Sequence, residues 1–185
     1  MGTTSGTYAV GPEQGTLELR TYREGAASKA GHDLVLDATR WSGTVTVDAD
    51  NAENSSVELS VEVAGLTVRE GHGGVKPLSD KDRAEIVKTI NSKVLDSGQH
   101  PSITFRSTSV TAAGDRGTVT GDLTIAGTTE SLEVPFRVQD EEGASRVTGE
   151  TSVVQTRWGV KPYRGFLGAL RLRDAVDVRY DISLK

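Results

Sequence analysis

The chain holds three histidines, His32, His72 and His100, and no cysteine. Few side chains are therefore available for acid–base, nucleophilic or metal chemistry. His32 stands beside Asp33 in "AGHDLVL", and an imidazole next to a carboxylate is a pair suited to general acid–base work. Apolar alternation begins at once, however, with Leu34 and Leu36 set against Val35 and Asp37. Neighbours on a strand point to opposite faces, so Asp33 does not orient the His32 ring. No G-x-S-x-G elbow accompanies the pair, and His32 reads as a structural or rim histidine rather than a catalyst. Metal binding has no better support, because the three histidines show neither H-E-x-x-H nor H-x-H spacing. A three-histidine site would need three loops to converge at one rim. His100 precedes Pro101 at a helix-to-strand junction, where a turn role suffices. Without cysteine there is no thiolate zinc site, disulfide or thiol nucleophile.

Two connections carry the remaining candidates. "REGHGGVKPLSD" groups glycines with Arg69, His72 and Lys76. Its glycines could form an anion-binding nest, yet the P-loop spacing is missing, and a flexible strand-to-helix connection explains it as well. "TRWGVKPYRGFLGALRLRD" interleaves Trp158, Tyr163, Phe166, Leu167 and Leu170 with Arg157, Lys161 and Arg164. Aromatics in a connection must bury against something: they line a pocket mouth or cap one end of a core. The mixture of aromatic and basic residues also suits single-stranded nucleic acid, but the acidic remainder of the chain argues against it.

The elements that would position these residues are mostly strands. In "SSVELSVEV", Val57, Leu59, Val61 and Val63 share one face; in "DAVDVRYDISL", Val176, Val178, Tyr180, Ile182 and Leu184 do so. "SLEVPFRV" turns Leu132, Val134, Phe136 and Val138 inward, with Pro135 on the polar face predicting an edge or bulge. "GTVTGDLTI" has Gly121 between Val119 and Leu123, predicting a bulge or sharp bend. Further strands are expected at "TLELRTY", "DLVLDAT", "GTVTVDA", "SITFRSTSV" and "SRVTGETSVV", eight or nine in all, separated by turn-rich segments. One amphipathic helix is expected over about 79–96, with Ile86, Val87, Ile90, Val94 and Leu95 on one face, Ser79 as N-cap and Gly98 as a stop signal. One helix cannot cover so many one-faced strands, so the sheet must fold against itself as a sandwich or a barrel.

The chain's 185 residues match one domain, with 1–7 expected as a flexible N-terminus and 8–185 as the folded unit. Its 21 basic and 26 acidic residues are interspersed along the sequence, for a net charge of −5. That pattern predicts no broad surface for nucleic acid or an anionic membrane. No signal sequence and no apolar span of membrane length are visible. The expectation is a cytoplasmic protein, or a secreted or periplasmic one if the sequence is a processed form, without stable membrane insertion and with room for a homodimer.

"AGHDLVL", "HPSITFRSTSV", "GDLTIAGTTESLEVPFRV" and the closing "TRWGVKPYRGFLGALRLRDAVDVRYDISL" together resemble the YceI-like family, in that order, from about Tyr8 to Leu184. The family's R-D-x-H-L stretch before the helix is replaced here by "LSDKDRAEIV". The resemblance implies an eight-stranded antiparallel lipocalin-like barrel, mainly β with one helix, whose apolar interior takes an isoprenoid or lipid chain. It implies neither catalytic residues nor a cofactor. Together with the one-faced alternation it marks Val57, Leu59, Val61, Phe105, Leu123 and Leu132 as lumen residues. Val134, Phe136, Val176, Val178 and Tyr180 complete that set. His32, Arg69, His72, Trp158, Tyr163 and Phe166 are expected at the rim. The alternatives are a barrel filled by its own side chains, serving a structural or stress-linked role, and a metal-dependent enzyme built on rim histidines.

Overall fold

The computed structural model describes residues 4–185. The chain opens with β1 (Gly6–Val10), β2 (Gly15–Thr21), β3 (Arg23–Glu24), β4 (His32–Ala38), β5 (Trp41–Val47), β6 (Ser56–Glu62) and β7 (Leu66–Gly73). Helix α1 (Asp80–Thr89) follows and runs on into a π-helical turn, Ile90–Val94. The second half holds β8 (Ser102–Ala113), β9 (Arg116–Ile125), β10 (Thr128–Glu141), β11 (Ala144–Val154), β12 (Arg164–Gly165), β13 (Leu170–Leu172) and β14 (Ala175–Leu184).

Eleven strands form one antiparallel sheet in the order β1-β5-β6-β8-β9-β10-β11-β14-β2-β4-β7, rather than the eight expected. The two strands that sequence patterning missed are its edges. Tyr8 and Val10 alternate as a strand should, but they sit in a short Gly-rich segment. In the fold Val10 is buried, and β1 pairs with β5 from Gly6 opposite Val47. This strand begins inside the 1–7 segment expected to be flexible, whose first three residues lie outside those described. Strand β7 occupies the first part of the glycine-rich stretch that reads as a loop. The aromatic connection before β14 is also structured: its short strands β12 and β13 make a three-stranded sheet with β3.

The large sheet curls until its ends approach. Strands β4 and β5 diverge at a corner, where the Thr39 N–H donates to the Gly65 carbonyl (2.9 Å) and the Glu62 N–H to the Arg40 carbonyl (3.0 Å). Edge strands β1 and β7 do not pair with each other, so the ring stays open. The helix segment bridges the gap. Ile86, Val87 and Ile90 pack on Leu34, Leu36 and Val68, while Val94 and Leu95 reach the cluster around Phe105 and Leu123. Arg83 fastens α1 to the edge strand by donating to the carbonyls of Val68 and Arg69.

The helix begins as its sequence predicts. Ser79 accepts from the Asp82 N–H, and the Asp82 carboxylate accepts in turn from the Ser79 N–H. Those hydrogen bonds hold the Asp82 carboxyl below its ordinary range. The stop differs from expectation: Asp96, not Gly98, takes the left-handed conformation (φ 48°). Its carbonyl receives the Gln99 and His100 N–H groups. Ser79→Ala removes a capping acceptor worth about 1 kcal/mol, so the melting temperature should drop by about 3 °C, readable by circular dichroism.

Two expected irregularities are relocated. The Cβ of any residue replacing Gly121 would lie 2.5 Å from the Phe105 ring. Gly121 therefore admits an aromatic side chain, and the bulge falls on β8 opposite it, between Ser107 and Ser109. Pro135 is on an interior strand, not at an edge. It pairs with Thr118 of β9, but the β10–β11 ladder ends at Arg137 opposite Thr148. Beyond that point side chains take over, as the Tyr180 hydroxyl donates to the Pro135 carbonyl (2.6 Å) and the Thr151 hydroxyl to the Glu133 carbonyl (2.8 Å). Gly149 makes room, since a Cβ there would sit 2.2 Å from the Pro135 oxygen.

Candidate functional site

The inner face of the curled sheet encloses a cavity of about 1000 Å³. This is at the large end of the range for small-molecule sites. Its wall is built by period two, strand after strand. Along β10 the inward residues are Leu132, Val134, Phe136, Val138 and Asp140. Eight residue steps at ~3.3 Å each make the cavity long rather than round, about 26 Å on this strand. Val57, Leu59 and Val61 contribute from β6, Phe105 and Leu123 from β8 and β9, and Val176, Val178 and Tyr180 from β14. All eleven residues expected to face the lumen therefore line it. Burial pushes the Tyr180 phenol well above the ordinary range, so it stays a neutral hydrogen-bond donor.

Sequence patterning stopped short of the rest of the wall. Strand β2 sends Leu17, Leu19 and Thr21 inward, Arg23 follows on β3, and β4 sends Leu34 and Leu36. Trp41 and Val45 come from β5, and Ile86, Ile90, Val94 and Leu95 from the helix segment. Arg23 and Asp140 were legible by the same rule, since each extends an apolar alternation by one inward position. Two buried polar atoms in this wall, Thr21 Oγ1 and Trp41 Nε1, have no hydrogen-bond partner among the described residues.

The two ends of the cavity differ. Asp48, Asp115 and Asp140 line one. Arg23, His32, Tyr163, Leu170 and Leu172 line the other. His32 borders this second mouth, and its Nε2–H donates to the Lys76 carbonyl of the neighbouring loop (2.8 Å). Arg23 donates to the Gly31 carbonyl, and its backbone N–H binds the Asp33 carboxylate at 2.8 Å. Asp33 thus holds the chain beside the mouth and leaves the neighbouring imidazole alone, as strand geometry requires.

The other expected rim residues are placed differently. Arg69 is the extra residue of a bulge opposite Val35 and Leu36, and it turns outward to the carboxylates of Glu18, Asp37 and Glu70. Burial of Glu18 raises its carboxyl, but the hydrogen bonds from Arg20 and Arg69 outweigh that and hold it below the ordinary range. His72 lies opposite Asp33 in the ladder, on the face away from His32, and donates to the Glu70 carboxylate at 2.8 Å. Trp158 is inside the wall, 1% exposed, with its indole N–H on the Leu123 carbonyl (2.7 Å). It belongs to the core cluster that holds Phe105, Leu123, Ile125 and Leu132 and is not itself part of the cavity lining. Tyr163 does line the mouth, whereas Phe166 stands outside it, 66% exposed. The aromatic connection therefore splits between the two roles its composition allows: Trp158 caps the core and Tyr163 borders the opening.

His32 and His72 engage separate partners, and no group of three metal-ligating side chains gathers among the described residues. No described helix is long and apolar enough to cross a membrane.

A family model for the YceI-like domain matches residues 8–184. Among solved structures, BcnA of Burkholderia cenocepacia superimposes with a TM-score of 0.73 at 19% identity, over 95% of this chain and 99% of that one. A protein from Saccharophagus degradans described as a polyisoprenoid binding domain gives 0.66 at 9% identity, over 98% and 99%. The Campylobacter jejuni YCEI protein gives 0.60 at 11%, over 80% and 82%. No curated protein sequence matches the chain.

Proposed function

From the premise that the chain belongs to the YceI-like family, matched over residues 8–184, we propose that it is a non-catalytic carrier of one long apolar molecule. The ligand class is a polyisoprenoid, the tail of an isoprenoid quinone, or another lipid of similar girth. The observation that carries this reading is the continuous aliphatic lumen, elongated along the strands and walled from nearly every one of them. Such a space suits a flexible hydrocarbon chain, because each methylene moved from water to an apolar wall gains about 0.8 kcal/mol. A five-carbon unit then gains about 4 kcal/mol before ordering costs. The polar groups at the mouth, Arg23 and His32, are placed to meet a head group while the tail lies within. The likeness to a polyisoprenoid binding domain supports the same class.

A barrel filled by its own side chains does not fit a lumen of about 1000 Å³. A metal-dependent reaction at the rim would need histidines that share a face, and His32 and His72 do not.

Native mass spectrometry of gently purified protein, followed by lipid extraction, tests the proposal. The expected spectrum shows the chain carrying a single apolar adduct, or accepting one added polyprenol per chain. Protein that stays at the bare-chain mass after incubation with polyprenol and with long-chain lipids would refute it.

A further inference from the structure

Charges interspersed along the sequence are segregated in space. The connection 155–174 carries Arg157, Lys161, Arg164, Arg171 and Arg173 against one carboxylate, Asp174. Lys29 and Lys76 border the same mouth from neighbouring loops. Lys29, Lys161 and Arg164 form no ion pair with any described residue, and all three are exposed. The far end reverses the sign, with Asp48, Asp50, Glu53, Asp115, Asp140, Glu141 and Glu142 against Arg116 in its turns. A chain of net charge −5 thus gathers the cations Lys29, Lys161 and Arg164 around the mouth bordered by His32 and Tyr163, where Glu24 and Asp33 are taken up by Arg171 and Arg23 and Asp82 by the helix cap.

The exposed apolar side chains follow the same plan. Among the described residues, the large hydrophobics that stand in solvent are Val75 (86% exposed), Tyr163 (43%), Phe166 (66%) and Leu167 (fully exposed). All four belong to the two loops at that mouth. Phe166 and Leu167 are both held in the left-handed backbone region, φ 47° and 56°, which bulky residues rarely adopt. Single exposed apolar residues need no explanation, but a group concentrated at one opening does.

We infer that this end is a docking surface for a bilayer containing anionic lipid. The exposed tips Val75 and Leu167 enter the head-group region, and Lys29, Lys161 and Arg164 contact the phosphates. Apolar tips ringed by cations are the combination that holds a protein at a membrane interface without spanning it. The orientation follows from the charge separation: the acidic end is repelled and the mouth faces the lipid. A lumen occupant could then pass between bilayer and cavity without crossing water. The inference rests on the surface and not on which molecule fills the lumen.

Vesicle flotation with the full chain tests it, using phosphatidylcholine alone and an equimolar mixture of phosphatidylcholine and phosphatidylglycerol. The wild-type chain should float with the mixed vesicles, float less with phosphatidylcholine alone, and be released as salt is raised. Val75→Ser with Leu167→Ser should weaken binding about tenfold, since two exposed side chains lose their lipid contact. Lys161→Glu with Arg164→Glu should abolish the preference for phosphatidylglycerol. Uptake of polyprenol dispersed in detergent is measured in parallel and should be unchanged in the Val75/Leu167 variant, so that failure of docking and failure of the lumen reading are told apart. The inference is overturned if the wild type fails to float with either vesicle, or if the Val75/Leu167 variant floats as the wild type does. It is equally overturned if light scattering shows a dimer that this variant dissociates while flotation is absent, since the patch would then be a contact between two copies.

Discussion

Trp158→Ala is expected to lower the melting temperature by about 10 °C, the largest stability effect of any single truncation in the connection before β14. The indole is 1% exposed and packs among Leu123, Ile125, Leu132, Val153 and Val160. Its N–H is bonded to the Leu123 carbonyl, and the Arg157 guanidinium lies 5.1 Å from the ring centre. Truncating a buried tryptophan costs about 3–5 kcal/mol through lost transfer energy and the void left behind. Each kcal/mol moves the midpoint of a domain this size by roughly 2–4 °C. The location adds to the effect. The indole fastens the connection to the far end of β9, where Leu123 faces Glu130 of β10, so its loss loosens that end of the wall. Trp158→Phe keeps most of the ring and loses the hydrogen bond, so its cost should be well below that of alanine. Differential scanning calorimetry checks both. A shift of under about 2 °C for the alanine variant would mean that the indole is no anchor, given the usual cost of such truncations.

Val178→Trp is expected to reduce uptake of a long-chain polyprenol more than tenfold while leaving the fold close to its original stability. Val178 lies on β14 opposite Leu19 of β2 and Thr151 of β11, half-buried and facing the lumen. A larger side chain there enters open space. In a packed core the same change would force neighbours off their rotamers and cost about 1–3 kcal/mol. The two readouts therefore decide between an open lumen and a filled one. Lost uptake with an unchanged melting temperature supports the carrier. A strong drop in melting temperature supports a packed interior. Native mass spectrometry with added polyprenol and thermal denaturation on the same sample measure both quantities.

Much of the lumen was legible because a strand writes its two faces into the sequence. Val57, Leu59 and Val61, or Leu132, Val134 and Phe136, are inward wherever their strand is placed, since a shift by one residue would expose the whole apolar set. The same rule, carried one position further, reaches Arg23 and Asp140 at opposite ends of the cavity. It failed where strands are short or glycine-rich, as at β1 and β7, because two inward residues do not stand out from chance.

The rim was less legible. Arg69 and His72 lie on β7, the strand that pairs with β4 and its His32, yet a bulge and the pleat turn them to the outer face. Trp158, Tyr163 and Phe166 share one connection and end up in the wall, at the mouth and in solvent respectively. Local composition assigns none of these places, because loop side chains are sorted by what the rest of the chain packs around them.

The amino-acid sequence by itself determined that this is a one-helix β protein with a one-faced aliphatic sheet, a capped helix at Ser79 and no local pattern for catalysis. Periodicity and capping are short-range physics, settled within a few residues. Only the tertiary structure decided that the sheet curls around an open lumen, that the helix bridges its unpaired edges, and that cations and exposed apolar tips meet at one mouth. Those features depend on strand stagger and on side chains distant in sequence, and no local rule carries that information.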